Sequence, residues 1–108
     1  MRAYSITLSG SVTTAQNLWA LINALSNVQA SGEVIPDKCC YLHISCVPTS
    51  SNTVEIQDSH ALGGPTFKAS GGLLQIEIKA PANNINLRDY NFLPSAISQV
   101  VNVLTETV

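Results

Sequence analysis

A chain of 108 residues with 11% charged side chains, five basic and seven acidic for a net charge of −2, has the size of one domain but far less than the roughly 25% charge of an ordinary soluble protein. Its bases, Arg2, Lys38, Lys68, Lys79 and Arg88, are scattered with no two adjacent, which speaks against the concentrated basic face that nucleic acid requires. No apolar run approaches the roughly 20 residues of a membrane-spanning helix, and the N-terminus lacks the hydrophobic block and cleavage site of an export signal.

Ser, Thr, Asn and Gln take the place of the missing charge, so the surface is expected to be polar but largely uncharged. Such a surface gives little repulsion between copies and suits a protein packed against neighbours. A low-charge monomer is the simpler alternative. Cys39, Cys40 and Cys46 make an odd count, which argues against a disulfide framework. Six extended residues hold Cys40 and Cys46 about 20 Å apart, whereas a disulfide needs roughly 4.4–6.8 Å. Three thiols are expected, as in a protein folded in a reducing cytoplasm.

Tyr4, Ile6, Leu8 and Val12 alternate with Ser5, Thr7, Ser9 and Ser11, which predicts a first strand with one buried face. Thr13 or Thr14 then suits a helix cap. Leu18, Leu21, Ile22 and Leu25 follow at helical spacing, with Trp19 widening the stripe and its N–H wanting a partner. This helix, the only one expected, runs roughly 12 residues, about 18 Å, to Ser26-Asn27. Ser31, Gly32, Pro36 and Asp37 mark a loop from Val28 to Lys38. Cys40, Leu42, Ile44 and Cys46 form the apolar face of a second strand closed by Pro48, and Thr49-Ser50-Ser51-Asn52 reads as a turn. Val54 and Ile56 alternate with Glu55 and Gln57 in a short strand. Asp58 to Ser70, with Gly63, Gly64 and Pro65, reads as a long loop in which Phe67 folds back as an anchor.

The clearest alternation lies within Gly71 to Tyr90. Leu74, Ile76, Ile78 and Ala80 share one side of an extended chain, and Gln75, Glu77 and Lys79 the other. Pro81 stops the ladder, Asn83-Asn84 offers turn chemistry, and Ile85 and Leu87 restart the alternation, which predicts a hairpin around Ala82 to Asn84. Tyr90 and Phe92 lead to Pro94, and Val100 to Val108 resumes as a terminal strand. Val100, Val101, Val103 and Leu104 lie on both of its faces, as in a strand buried on both sides or covered by a partner subunit. The pattern predicts a single domain over residues 1–108, mainly β: a two-layer, jelly-roll-like sandwich of six or seven strands with one short helix over an open end.

Reactive constellations are weak. Cys39, Cys40, His43 and Cys46 have metal-ligating types, but a second ligand pair is absent, and buried thiols are the ordinary reading. Asp58, Ser59 and His60 hold the residue types of a hydrolytic triad at adjacent positions, without a glycine-framed serine elbow. Glu55, Asp58 and Glu77 could approach across strands, yet nothing marks a protonated partner. Gly63-Gly64 and Gly71-Gly72 lack the Lys or helix start of a phosphate cradle. The expectation is a protein with no catalytic residue, no metal and no cofactor.

Three stretches carry a resemblance. After the leading strand, Thr14, Asn17, Leu18 and Leu21 follow the form T-x-x-N-L-x-x-L; Val54, Ile56 and Asp58 match V-x-I-G-D; and Asn83, Asn84, Ile85, Leu87, Asp89 and Tyr90 match N-N followed by I-x-L-x-D-Y. In these the chain resembles a type of small tailed-bacteriophage virion protein, over most of its length. It departs at Gln57, where that type usually has Gly, which implies a differently built turn after this strand. The resemblance implies a capsid decoration (cement) protein, made in the host cytoplasm and carried on the virion. Such proteins bind the major capsid protein or another virion protein, often as trimers, and oppose the pressure of packaged DNA. Phe67, Tyr90 and Phe92 are then candidate interface anchors, since large aromatics carry much contact energy at low rotamer cost; the alternative is that they close the monomer's own core. Two other functions stay open. One is a head–tail adaptor or tail component, and the other is a receptor- or carbohydrate-binding sandwich, for which three Tyr, one Trp and two Phe are few.

Overall fold

A computed structural model describes residues 1–9, 12–49, 51–58, 66–70 and 74–108. The elements in chain order are β1 (Arg2–Leu8), β2 (Gln16–Asn17), α1 (Leu18–Ala24), α2 (Ser26–Ser31), β3 (Lys38–Cys39), β4 (Tyr41–Cys46) and β5 (Thr53–Asp58). They continue with β6 (Thr66–Ser70), β7 (Leu74–Lys79), β8 (Ile85–Asn86), a 3₁₀ turn (Leu87–Asp89), β9 (Tyr90–Pro94) and β10 (Gln99–Glu106). The protein is mainly β. One antiparallel sheet has the order β1-β10-β4-β7, a second β2-β9-β5-β6, and β3 and β8 form a two-stranded clasp.

The alternation in sequence becomes the two faces of each sheet. Tyr4, Ile6 and Leu8 of β1, Leu42, Ile44 and Cys46 of β4, and Val101 and Val103 of β10 point inward from the first sheet. Val54, Ile56 and Phe92 point inward from the second, and all of them join one core with Leu18, Ile22 and Val28 of the helices. Two sheets that share a single apolar filling make the two-layer sandwich. Helix α1 packs against β1 of one sheet and against β2 and β9 of the other, so it closes the gap between the layers on that side. The seven strands of five residues or more match the expected number; the remaining three are two-residue pairings.

Several connections differ from expectation. No hairpin forms around Ala82 to Asn84. A tight turn is present there, with Asn84 N–H donating to the Ala82 carbonyl at 2.7 Å, but β7 pairs with β4 whereas β8 pairs with β3. The partner β4 offers β7 six paired residues, including Leu42 opposite Ile78 and Ile44 opposite Ile76; Ile85-Asn86 could offer only two. The helix is also two helices. Asn17, not Thr13 or Thr14, caps the first, its Oδ1 accepting from Ala20 N–H at 3.2 Å. Leu25 then turns extended (φ −63°, ψ 133°), and α2 ends at Gly32 in the left-handed region (φ 67°).

Two further strands were hidden by their punctuation. The stretch expected as a loop from Asp58 to Ser70 contains β6, paired along β5 with Phe67 opposite Ile56. Tyr90–Pro94 is a central strand, between β2 and β5, although Asn91 and Pro94 break its apolar pattern. Val12, expected on the face of β1, lies beyond that strand and is 43% exposed. Within the chain β10 is buried on one face only. Gln99, Val101, Val103 and Thr105 point inward, whereas Val100, Asn102 and Glu106 are exposed.

Candidate functional site

The thiols and their histidine diverge. Cys46 points into the core from β4, His43 lies on the outer face of the same strand, and Cys39 is buried in the clasp. Burial pushes the Cys39 thiol up to about 11 and raises that of Cys46 as well, so both are poor nucleophiles near neutral pH. Cys40 is half-buried and its Sγ donates to the Glu106 carbonyl at 3.3 Å. Among the described residues, no group of three or more His, Cys, Asp and Glu is placed to hold a metal ion.

The carboxylates are separated by the layers. Glu55 belongs to the second sheet, where it accepts from Gln57 Nε2 at 3.2 Å, and Glu77 belongs to the edge of the first. Glu77 accepts from Tyr41 Oη at 2.8 Å and sits 3.4 Å from Lys79 Nζ. These contacts, the tyrosine first, hold its carboxyl below the usual range, the opposite of a proton donor. Asp58 ends β5; Ser59 and His60, like Gly63-Gly64 and Gly71-Gly72, lie outside the described residues. A cavity of about 450 Å³ lined by Met1, Arg2, Glu33, Thr105, Glu106 and Thr107 contains the Arg2–Glu33 ion pair at 2.6 Å, which raises Arg2 and lowers Glu33. Behind it the Tyr4 hydroxyl is buried. It approaches Arg2 and Thr105 without a well-aligned hydrogen bond.

The aromatic candidates fall into three classes. Phe92 is 0% exposed at the centre of the second sheet, so it is a core residue and not an anchor for a partner. Its place opposite Ile56 on β5 commits the ring to the interior. Tyr90 is half-buried and packs on the core. Phe67 lies on β6, and its side chain is outside the described residues.

The resembling stretches meet in space. Asn17, besides capping α1, donates through Nδ2 to the Arg88 carbonyl at 2.7 Å. The Arg88 guanidinium lies 3.9 Å from the centre of the Trp19 ring and its Nε donates to Asp37 at 2.9 Å. Leu87 N–H donates to the Asp37 carbonyl at 2.7 Å. Helix cap, 3₁₀ turn and the loop before β3 are therefore tied in one knot. Asn17, Leu18, Ile85 and Leu87 act in folding; none of them is presented as a reactive group. The Trp19 N–H that wanted a partner has none among the described residues. The indole is held through its face by the cation instead.

An exposed apolar group stands at the opposite extreme of design. Val47 is 60% exposed, Ile97 57% and Val100 41%. The register of β4 and β10 ends with Cys46 opposite Val101; Val47 follows Cys46, Val100 precedes Val101 on the exposed face of β10, and Ile97 lies in the turn that feeds β10. This end is braced. Ser98 adopts φ 70°, uncommon for a residue with a Cβ, and its N–H donates to the Leu8 carbonyl at 2.8 Å. Buried Gln99 accepts from Thr49 N–H at 2.8 Å and donates back to Thr49 Oγ1 at 3.0 Å. Ser95 Oγ accepts from Thr53 N–H at 2.7 Å. An uncommon φ held by such hydrogen bonds is a feature found at functional surfaces, and the aliphatic side chains near it are exposed apolar area. Sequence reading missed Val47 and Ile97, because isolated aliphatics beside Pro48 and Ser98 show no period. Val100 was visible only as an apolar residue on the wrong face of its strand. No protein-family model matches the chain, and no curated protein or solved structure matches it.

Proposed function

We propose that this chain is a non-enzymatic virion structural protein of the capsid decoration type, made in the host cytoplasm and bound to the major capsid protein shell, which it stabilises. The observation that carries this reading is the braced apolar end. Val47, Ile97 and Val100 are exposed near a hydrogen-bonded frame on a domain with 11% charge, so the surface adheres by burial and shape instead of by steering charge. The motif resemblance supports the same reading. Among the described residues, by contrast, Cys39 and Cys46 are buried and the carboxylates of Glu55 and Glu77 lie on different sheets.

The test is co-sedimentation with emptied shells assembled from the major capsid protein of the same genome. The wild-type chain is expected to pellet saturably, and Ile97→Glu or Val47→Glu to weaken binding at least tenfold with unchanged melting. A wild-type chain left in the supernatant, or one that binds a glycan array specifically instead, overturns the reading. Rings of six or twelve copies in solution would replace it with a head–tail adaptor or tail component.

A further inference from the structure

The outer edge of β7 is the second place where the chain is poised to meet another surface. This contact does not rest on the shell-binding reading and uses a different part of the molecule. Among the described residues, β7 pairs with β4 alone and ends the first sheet. Ala80 N–H donates to the Cys40 carbonyl at 2.9 Å, so Ala80 and, by alternation, Ile78 and Ile76 turn their backbone groups toward β4. Gln75, Glu77 and Lys79 turn theirs toward the edge. Their side chains are exposed, while Ile76 and Ile78 are half-buried and continue the apolar inner face.

Edges of this kind are hazards that proteins blunt with charge, lysine above all. Here a glutamate two residues before the lysine makes the charges complementary to themselves. If β7 meets the β7 of a second copy antiparallel about a two-fold axis through Ile78, Glu77 lies opposite the second copy's Lys79, and Lys79 opposite its Glu77. Ile78 lies opposite itself and extends the apolar face across the axis. The backbone groups of Glu77 and Lys79 that point outward are the ones that would bond across this register. Slipping by two residues in one direction sets Glu77 against Glu77, and in the other Lys79 against Lys79. Slipping by one sets outward-pointing groups against inward-pointing ones. A single register is thus selected by both charge and hydrogen bonding.

We propose that β7 is a homodimerisation edge that fuses two four-stranded sheets into one of eight strands through paired Glu77–Lys79 contacts. The proteins of the resemblance are often trimers; this geometry implies a two-fold pair.

Sedimentation velocity over a concentration series on the whole chain tests it. The expected limiting mass is twice 11.5 kDa. Lys79→Glu is expected to weaken the dimer at least tenfold, and the charge swap Glu77→Lys with Lys79→Glu to restore it. Amide exchange on the wild-type chain is an independent measure should a variant fail to fold: protection at Glu77 and Lys79 should rise with concentration. A chain that stays monomeric at hundreds of micromolar, or that forms trimers, overturns the proposal. So does a swap that fails to restore the dimer in a folded protein, or exchange at Glu77 and Lys79 that ignores concentration.

Discussion

The two large sheets of this domain are built on different terms. The first, β1-β10-β4-β7, uses strands of six to eight residues with aliphatic side chains at nearly every inward position. The second, β2-β9-β5-β6, uses strands of two to six, and among the described residues it sends Phe92, Val54 and Ile56 fully into the core, Phe92 being the largest. Side chains bonded to backbone brace its ends: Asn17 to Arg88 and Ser95 to Thr53. A sheet with long ladders spreads its stability over many similar contacts. One with short ladders concentrates it in few.

That contrast can be broken by substitution. Phe92→Ala should cost about 3–5 kcal/mol and leave much of the chain unfolded near 37 °C, because few neighbours in the second sheet can collapse into the space. Ile44→Ala, equally buried in the middle of the first sheet, should cost about 2–4 kcal/mol. Urea unfolding of both variants decides; an Ile44 variant less stable than the Phe92 variant would remove the distinction. Asn17→Ala should cost about 1–2 kcal/mol, since it removes a helix cap and a bond to the 3₁₀ turn together. Its amide exchange should rise in α1 and β9 while β1 and β10 stay protected, which sharpens the comparison by locating the loss.

The β3–β8 clasp has its own signature in pH. Burial raises the folded-state pKa of Cys39 to about 11, so the folded chain favours the protonated thiol. That contribution is complete below the ordinary thiol value, and is lost as pH climbs through the folded one. Stability should therefore fall between about pH 9 and pH 11, and fall less steeply in Cys39→Val, as chemical denaturation at each pH would show. The smallest effect belongs to Tyr4→Phe in the first sheet. Removing a buried hydroxyl that lacks a good partner should be neutral or stabilise by up to about 1 kcal/mol, read as a small rise in Tm; a loss above that would mean the hydroxyl is well bonded.

The same contrast explains what could be read in advance. Ile6, Leu42, Ile44, Val54, Ile56, Ile76 and Ile78 were legible as inward residues because a period of two is written in adjacent positions. β6 and β9 were not, since Gly63, Gly64, Pro65 and Pro94 look like loop chemistry unless a neighbouring strand supplies the missing bonds. The candidate surface was less legible still. Val47 is distant in the chain from Ile97 and Val100 and comes to their end of the sheet only when Val101 settles opposite Cys46, and Phe92 suggested an anchor because a large aromatic in the sequence gives no sign of the layer above it.

By itself, then, the amino-acid order determined which side of each long strand avoids water, that the thiols stay unpaired by geometry along one strand, and that the surface is polar with little charge. Tertiary structure alone decided which strands become neighbours. It sent β7 to β4 and not to β8, placed β10 between β1 and β4, broke the helix at Leu25 and gave Asn17 its second role. The reason is physical: facing depends on a residue's immediate neighbours, whereas pairing is a competition among distant segments for the longest matched ladder and the fullest burial.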